Sequence, residues 1–126
     1  MRDKVIQNLI NNAKKDSRVL ALALFGSYAR GEQYNDIDVC IFLVPKKYSH
    51  LELSRIKMEY VPENEKYDLH LFQELPLYIQ QRILNEAKFL YCNNEDLLYD
   101  IYFEIGRQYL FFQHIYENYL KGVAHG

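Results

Sequence analysis

The chain has no tryptophan, only two cysteines and no excess of basic charge. Cys40 and Cys92 lack metal-ligand spacing, and each lies in or beside an apolar run. This argues against a disulfide framework or a cysteine-built metal site and for two reduced core residues. With 15 Lys and Arg against 17 Asp and Glu, the formal net charge is -2. A sequence-blind grip on duplex nucleic acid needs a basic surface, so none is expected. The opening stretch, MRDKVIQNLINNAKK, holds no apolar run long enough for a signal peptide or a membrane span. A cytoplasmic location without membrane contact is the expectation. No repeat, low-complexity tract or linker interrupts the 126 residues, so they are read as one domain with a sizeable core.

What is present is an alternation of helical and strand patterns. Val5, Ile6, Leu9, Ile10 and Ala13 recur at helical spacing and predict an amphipathic helix ending near Lys15. Arg18 to Phe25 is apolar after its first residue, as in a strand buried on both faces. Gly26 stops it. Asp36 to Val44 reads as a second strand closed by Pro45. A helix over residues 50 to 60 and a turn from Pro62 to Glu65 precede Lys66 to Phe72. There Tyr67, Leu69 and Leu71 alternate with Asp68 and His70, the period of a strand. A helix from Leu77 to Glu86 follows, then a short strand from Lys88 to Cys92. Asn93 and Asn94 can cap a last helix from about Glu95 to Lys121. The expected fold is α/β or α+β, one small mixed sheet flanked by helices.

The chemistry concentrates in LFGSYARGEQYNDIDVCIF. A buried strand runs into Gly26-Ser27, a glycine-bounded turn ends at Gly31, and the next strand opens with Asp36-Ile37-Asp38. Residues two apart on a strand share a face, so the two carboxylates are expected to point together. Their repulsion calls for compensation, and a divalent cation supplies it. Carboxylate oxygens suit Mg²⁺, which takes one or two of them plus substrate phosphates. Gly26 lets backbone approach a ligand, and successive N–H groups with the Ser27 hydroxyl can receive phosphate. This is neither a Walker loop nor a dinucleotide fingerprint. Asp68, on the polar face of the third strand, could complete a three-carboxylate set for two metal ions, one activating an acceptor hydroxyl and one steadying pyrophosphate. Arg30 is a candidate for triphosphate contact, or else a turn residue paired with Glu32. His70 shares the face of Asp68 and is read as a hydrogen-bonded structural histidine.

Gly26-Ser27, then Asp36-x-Asp38, then an isolated Asp68 on a later strand resemble the DNA polymerase beta-like nucleotidyltransferase superfamily. Within it, the GSYARG turn and the final helix with Arg107-Gln108-Tyr109 and late tyrosines resemble the minimal nucleotidyltransferases. That resemblance implies a nucleoside triphosphate substrate, Mg²⁺, and metal ligands at Asp36, Asp38 and Asp68; ATP is the expected donor, and Gly26, Ser27, Arg30 and Gly31 are the candidate phosphate contacts. The resemblance also implies a partner: many members are antitoxins to a HEPN-domain RNase encoded beside them, and some add AMP to a toxin tyrosine. Only Tyr28 to Asn35 separates Ser27 from Asp36, a spacer slightly shorter than that family usually shows. Two alternatives follow: an antitoxin that neutralises by contact alone, and a small-molecule transferase such as an antibiotic-modifying enzyme. Arg107 and His114 loosely match the spacing of the HEPN RNase motif itself, but HEPN domains are helical bundles and this pattern contains several strands.

The 12 tyrosines are unevenly spread, many of them in the last third. At 100° per residue, Tyr109, Leu110, Phe111 and Phe112 cover most of a helix circumference, so one domain does not bury them all. The final helix is therefore expected to meet another chain, whether a partner protein or a second copy, unless Gly106 kinks it back over the domain.

Overall fold

The computed structural model describes residues 3–33 and 35–125, with side chains described to residue 122. The first helix, α1 (Lys4–Lys14), starts where Asp3 accepts hydrogen bonds from the amides of Val5 and Ile6, and it buries Ile6, Leu9 and Ala13. The next elements are β1 (Val19–Phe25), a single helical turn α2 (Gly26–Ala29) and β2 (Ile37–Leu43). α3 (His50–Tyr60) begins with a reciprocal capping box between Ser49 and Glu52. β3 (Tyr67–Leu71) runs through a 3₁₀ turn into α4 (Leu77–Glu86), followed by β4 (Lys88–Cys92) and the long α5 (Glu95–His125).

The four strands form one mixed sheet in the order β3-β2-β1-β4. β1 runs antiparallel to both β2 and β4, whereas β2 and β3 are parallel. Every residue of β1 before Phe25 is buried, because both faces of the sheet are covered. Leu22, Leu24, Val39 and Ile41 pack toward α1 and α3 with Ile6, Leu9, Ile56 and Tyr60. Ala21, Ala23, Cys40 and Phe42 pack on the other face with Ile83 of α4 and Ile105 of α5. A register shift between Val19 and Ala21 brings Leu20 and Ala21 to that same side, the effect of a bulge.

The four strands and α1, α3 and α4 match the sequence pattern to within a residue or two, α5 runs four residues past the expected Lys121, and two differences are of consequence. β2 begins at Ile37, not Asp36: the Ile37 amide donates to the Lys66 carbonyl and the β2–β3 ladder opens with Ile37 opposite Tyr67. And α5 continues unbroken through Gly106, so no kink folds its far half back. Asn94 caps α5 by accepting from the Leu97 amide. Ile105 is buried and Leu98, Ile101 and Tyr109 are partly covered, while Tyr102, Phe112, Tyr116 and Tyr119 are exposed. Cys40 is buried, Cys92 is partly exposed, and both are free thiols. No helix among the described residues is long and apolar enough to cross a membrane.

Candidate active site

Strand alternation places the site. Cys40 and Phe42 face α4 and α5, so Asp38, two residues earlier, faces the same way. On β3, Tyr67, Leu69 and Leu71 enter the opposite core, which turns Asp68 and His70 to this side. The parallel register sets Asp38 beside Asp68 and Cys40 beside His70. β1, running the other way, ends at Phe25 opposite Asp38 and delivers the chain into Gly26. Three strands thus bring the candidate residues to one end of the sheet.

His70 stands between the two carboxylates, its Nε2 3.0 Å from Asp68 Oδ2 and 3.6 Å from Asp38 Oδ1. Its ring meets the edge of Phe25 at 5.3 Å between centroids. The His70 pKa is raised. Asp38, the less solvated carboxylate, contributes most, ahead of the Asp68 charge, and partial burial opposes both. Protonated, the imidazole offsets the repulsion between the acids.

Gly26 has φ +78, the left-handed region, and a Cβ there would collide with Asp38 Oδ2. The turn therefore lies directly against the Asp38 carboxylate. A cleft of about 300 Å³ opens there. Phe25, Gly26, Ser27, Arg30 and Asp38 form one wall, and Ile79, Arg82, Ile83 and Glu86 of α4 form the other. Arg30 is gripped from two sides. Glu32 accepts from its Nε and Nη2, both at 3.1 Å, and Glu86 accepts from Nη1 at 3.2 Å.

The candidates from the sequence are therefore not all brought together. Gly26, Ser27, Arg30 and Asp38 share the cleft, and Asp68 adjoins it through His70 and Asp38. Asp36 is exposed in the bend ahead of β2. Among the described residues the compact group of potential metal ligands is Asp38, Asp68 and His70. Gly31, φ +75, sits in the exposed turn after α2 with nothing near its Cβ position, and it does not line the cleft. Arg82 and Glu86 were not singled out in the sequence, where they look like an i,i+4 surface pair. On α5, Arg107 pairs with Glu104 and His114 faces Asn118, all of them exposed.

The donor set fits a hard divalent cation. The donor atoms of Asp38, Asp68 and His70 all lie within 4.8 Å of one another. Two ligands across one Mg²⁺ are about 4.2 Å apart, so a few tenths of an ångström of closure suffices. The carboxylates suit magnesium or manganese, while the imidazole nitrogen suits softer metals.

A mixed sheet carrying paired carboxylates beside a glycine-serine turn defines the class as nucleotidyltransferase, and the comparisons agree. The chain belongs to the family described as Polymerase beta, Nucleotidyltransferase, whose model matches residues 7–96. A Methanocaldococcus jannaschii protein, provisionally named a protein adenylyltransferase, is 34% identical over 84 residues. That match covers 64% of this chain and 62% of the relative, so it spans less than two thirds of the relative's length. Two solved structures share the fold. A chain of a toxin–antitoxin structure with AMP-PNP has a TM-score of 0.70 at 17% identity, covering 98% of each chain. A chain of the tri-AMPylated Shewanella oneidensis HEPN toxin in complex with MNT antitoxin has a TM-score of 0.64 at 16% identity. That match covers 94% of this chain and 92% of the other.

Proposed function

We propose that this chain, working as one domain, transfers AMP from ATP to a protein hydroxyl, and that the acceptor is a tyrosine of a HEPN-domain toxin that it neutralises. The observation that carries this reading is the pairing of Asp38 with Asp68 on parallel strands, beside the Gly26-Ser27 turn. Asp38 and Asp68 would hold Mg²⁺, with Asp36 joining from the bend before β2 if two ions are bound. The metal would neutralise the triphosphate and the pyrophosphate leaving group. Ser27 and Arg30 hold phosphate oxygens in the cleft. Asp68, with its side chain 57% exposed, faces the solvent from which a protein acceptor must arrive. The acceptor oxygen bonds to the α-phosphorus, the bond to the bridging oxygen breaks, and pyrophosphate departs with that electron pair. Asp68 receives the hydroxyl proton.

The relative's provisional name supports AMP transfer to protein. The fold shared with chains of toxin–antitoxin complexes supports the choice of acceptor. The test is to co-express the product of the neighbouring gene, add ATP and magnesium, and weigh it intact. An AMP-sized gain that disappears with Asp38→Asn supports the proposal. No gain with the unaltered chain refutes catalysis.

A second reading rests on α5. Leu110, Phe111, Phe112, Ile115, Tyr116 and Tyr119 are all at least half exposed. A partner that covers this face would be neutralised by contact alone. In that case Asp38→Asn leaves neutralisation intact and Phe112→Asp abolishes it.

A further inference from the structure

The α4 wall of the cleft contains a charge arrangement outside the Gly26-Ser27 turn and the Asp38–Asp68 pair. Ile79, Arg82, Ile83 and Glu86 fall at i, i+3, i+4 and i+7, one face of the helix. Ile83 is buried in the core and anchors that face, and Arg82 and Glu86 stand at the rim opposite Ser27 and Asp38. The two Glu86 oxygens divide between two guanidinium groups. Oε2 lies 3.2 Å from Arg30 Nη1, and Oε1 lies 3.8 Å from Arg82 Nε. A carboxylate thus lies between two arginines, and a guanidinium fork fits a carboxylate or a phosphate alike.

The charges make this more than a likeness of shape. Asp38 and Glu86 both line the cleft, so without a cation it presents two carboxylates to an incoming polyanion. A metal ion on Asp38 removes one conflict. The other remains unless Glu86 gives way. Its hold on Arg82 is longer than a hydrogen bond, and the Arg82 side chain is 61% exposed, so that half of the bridge is readily exchanged. Arg30 keeps its two contacts to Glu32 when Glu86 leaves.

We propose that Arg82 is a triphosphate-binding residue and that Glu86 is a displaceable counter-ion, holding Arg30 and Arg82 at the cleft until phosphate replaces it. This deepens the reading of the cleft as a nucleotide site and rests on it. It gives the site a selective device: an uncharged nucleoside cannot displace Glu86, whereas a triphosphate can.

Calorimetric titration of the full chain with Mg-ATP and, separately, with adenosine tests the proposal. Variants Arg82→Met, Arg82→Lys and Glu86→Gln are measured beside the unaltered protein, each checked for native circular dichroism. Both positions are at the surface, so the fold is expected to survive. Arg82→Met should weaken ATP by about tenfold, the loss of one charge-assisted contact, and leave adenosine unchanged. Arg82→Lys should recover part of the loss. Glu86→Gln should tighten ATP by roughly threefold or more, because the competing charge is gone and the side-chain size is kept. Unchanged ATP affinity in Arg82→Met, an equal loss for adenosine, or unchanged or weaker ATP affinity in Glu86→Gln would overturn the proposal. If the unaltered chain binds no ATP, the nucleotide reading fails with it, an outcome distinct from normal binding that these variants do not alter.

Discussion

Replacing Gly26 by alanine separates backbone strain from damage to the site, because the structure supplies its own control. Gly26 and Gly31 both occupy the left-handed region, at φ +78 and +75. For a residue with a Cβ that conformation costs about 1–2 kcal/mol. At roughly 4 °C per kcal/mol for a chain of this size, each substitution should lower Tm by about 4–8 °C. The two sites then diverge. A Cβ at Gly31 meets nothing within 4 Å, whereas at Gly26 it collides with Asp38 Oδ2. Relief requires the carboxylate or the turn to move by about 1 Å, and a misplacement of that size costs around 100-fold in rate. Gly26→Ala and Gly31→Ala should therefore melt alike but differ in AMP transfer, the first losing about 100-fold and the second far less. The assays are thermal unfolding and initial transfer rate at saturating ATP, with temperature held well below either Tm. Transfer by Gly26→Ala within threefold of the unaltered chain, or equal losses in both variants, would refute the placement of Asp38 against the turn.

Other consequences follow from the remaining contacts. Asp16 accepts from Arg18 and Tyr60, and these bonds, Arg18 foremost, lower its pKa to about 2 against the opposing effect of burial. A lowered folded-state pKa stabilises above the unfolded value of 3.8 and is lost as pH falls toward 2. Asp16→Asn should thus cost about 2 kcal/mol at neutral pH, and its unfolding free energy should converge on that of the unaltered chain in acid. His70 has the opposite sign. Its raised pKa gives stability that is fully present below 6.5 and fades as pH rises through the folded value, so in chelator His70→Gln should flatten that part of the melting profile. Phe112→Asp alters a residue 55% exposed, so stability should change by less than about 0.5 kcal/mol while partner capture on a pull-down is lost.

Much of this architecture was legible before any coordinates. Arg18 to Phe25 and the alternation around Asp68 are short patterns set by burial, and burial writes directly into sequence. The capping asparagine of α5 was readable for a different reason, a local side-chain hydrogen bond, and the aromatic excess beyond Tyr109 because one helix face cannot bury it all. Asp36 was harder. Two-residue spacing implies a shared face only inside the strand, and the ladder opens one residue later, at Ile37. Arg82 and Glu86 were invisible because their role depends on α4 crossing to the Gly26 turn, a long-range approach with no local signature. His70 was placed on the correct face, but its position between two carboxylates depends on the β2–β3 register, which a single strand does not encode.

The most direct measurement is a crystal structure of the chain with AMP-PNP and manganese, the ion located by its anomalous signal. The account predicts manganese bridging Asp38 and Asp68, with the phosphates lying along Ser27 and Arg30. An ion bound away from both carboxylates, or a nucleotide seated outside the Gly26–Ser27 cleft, would contradict it.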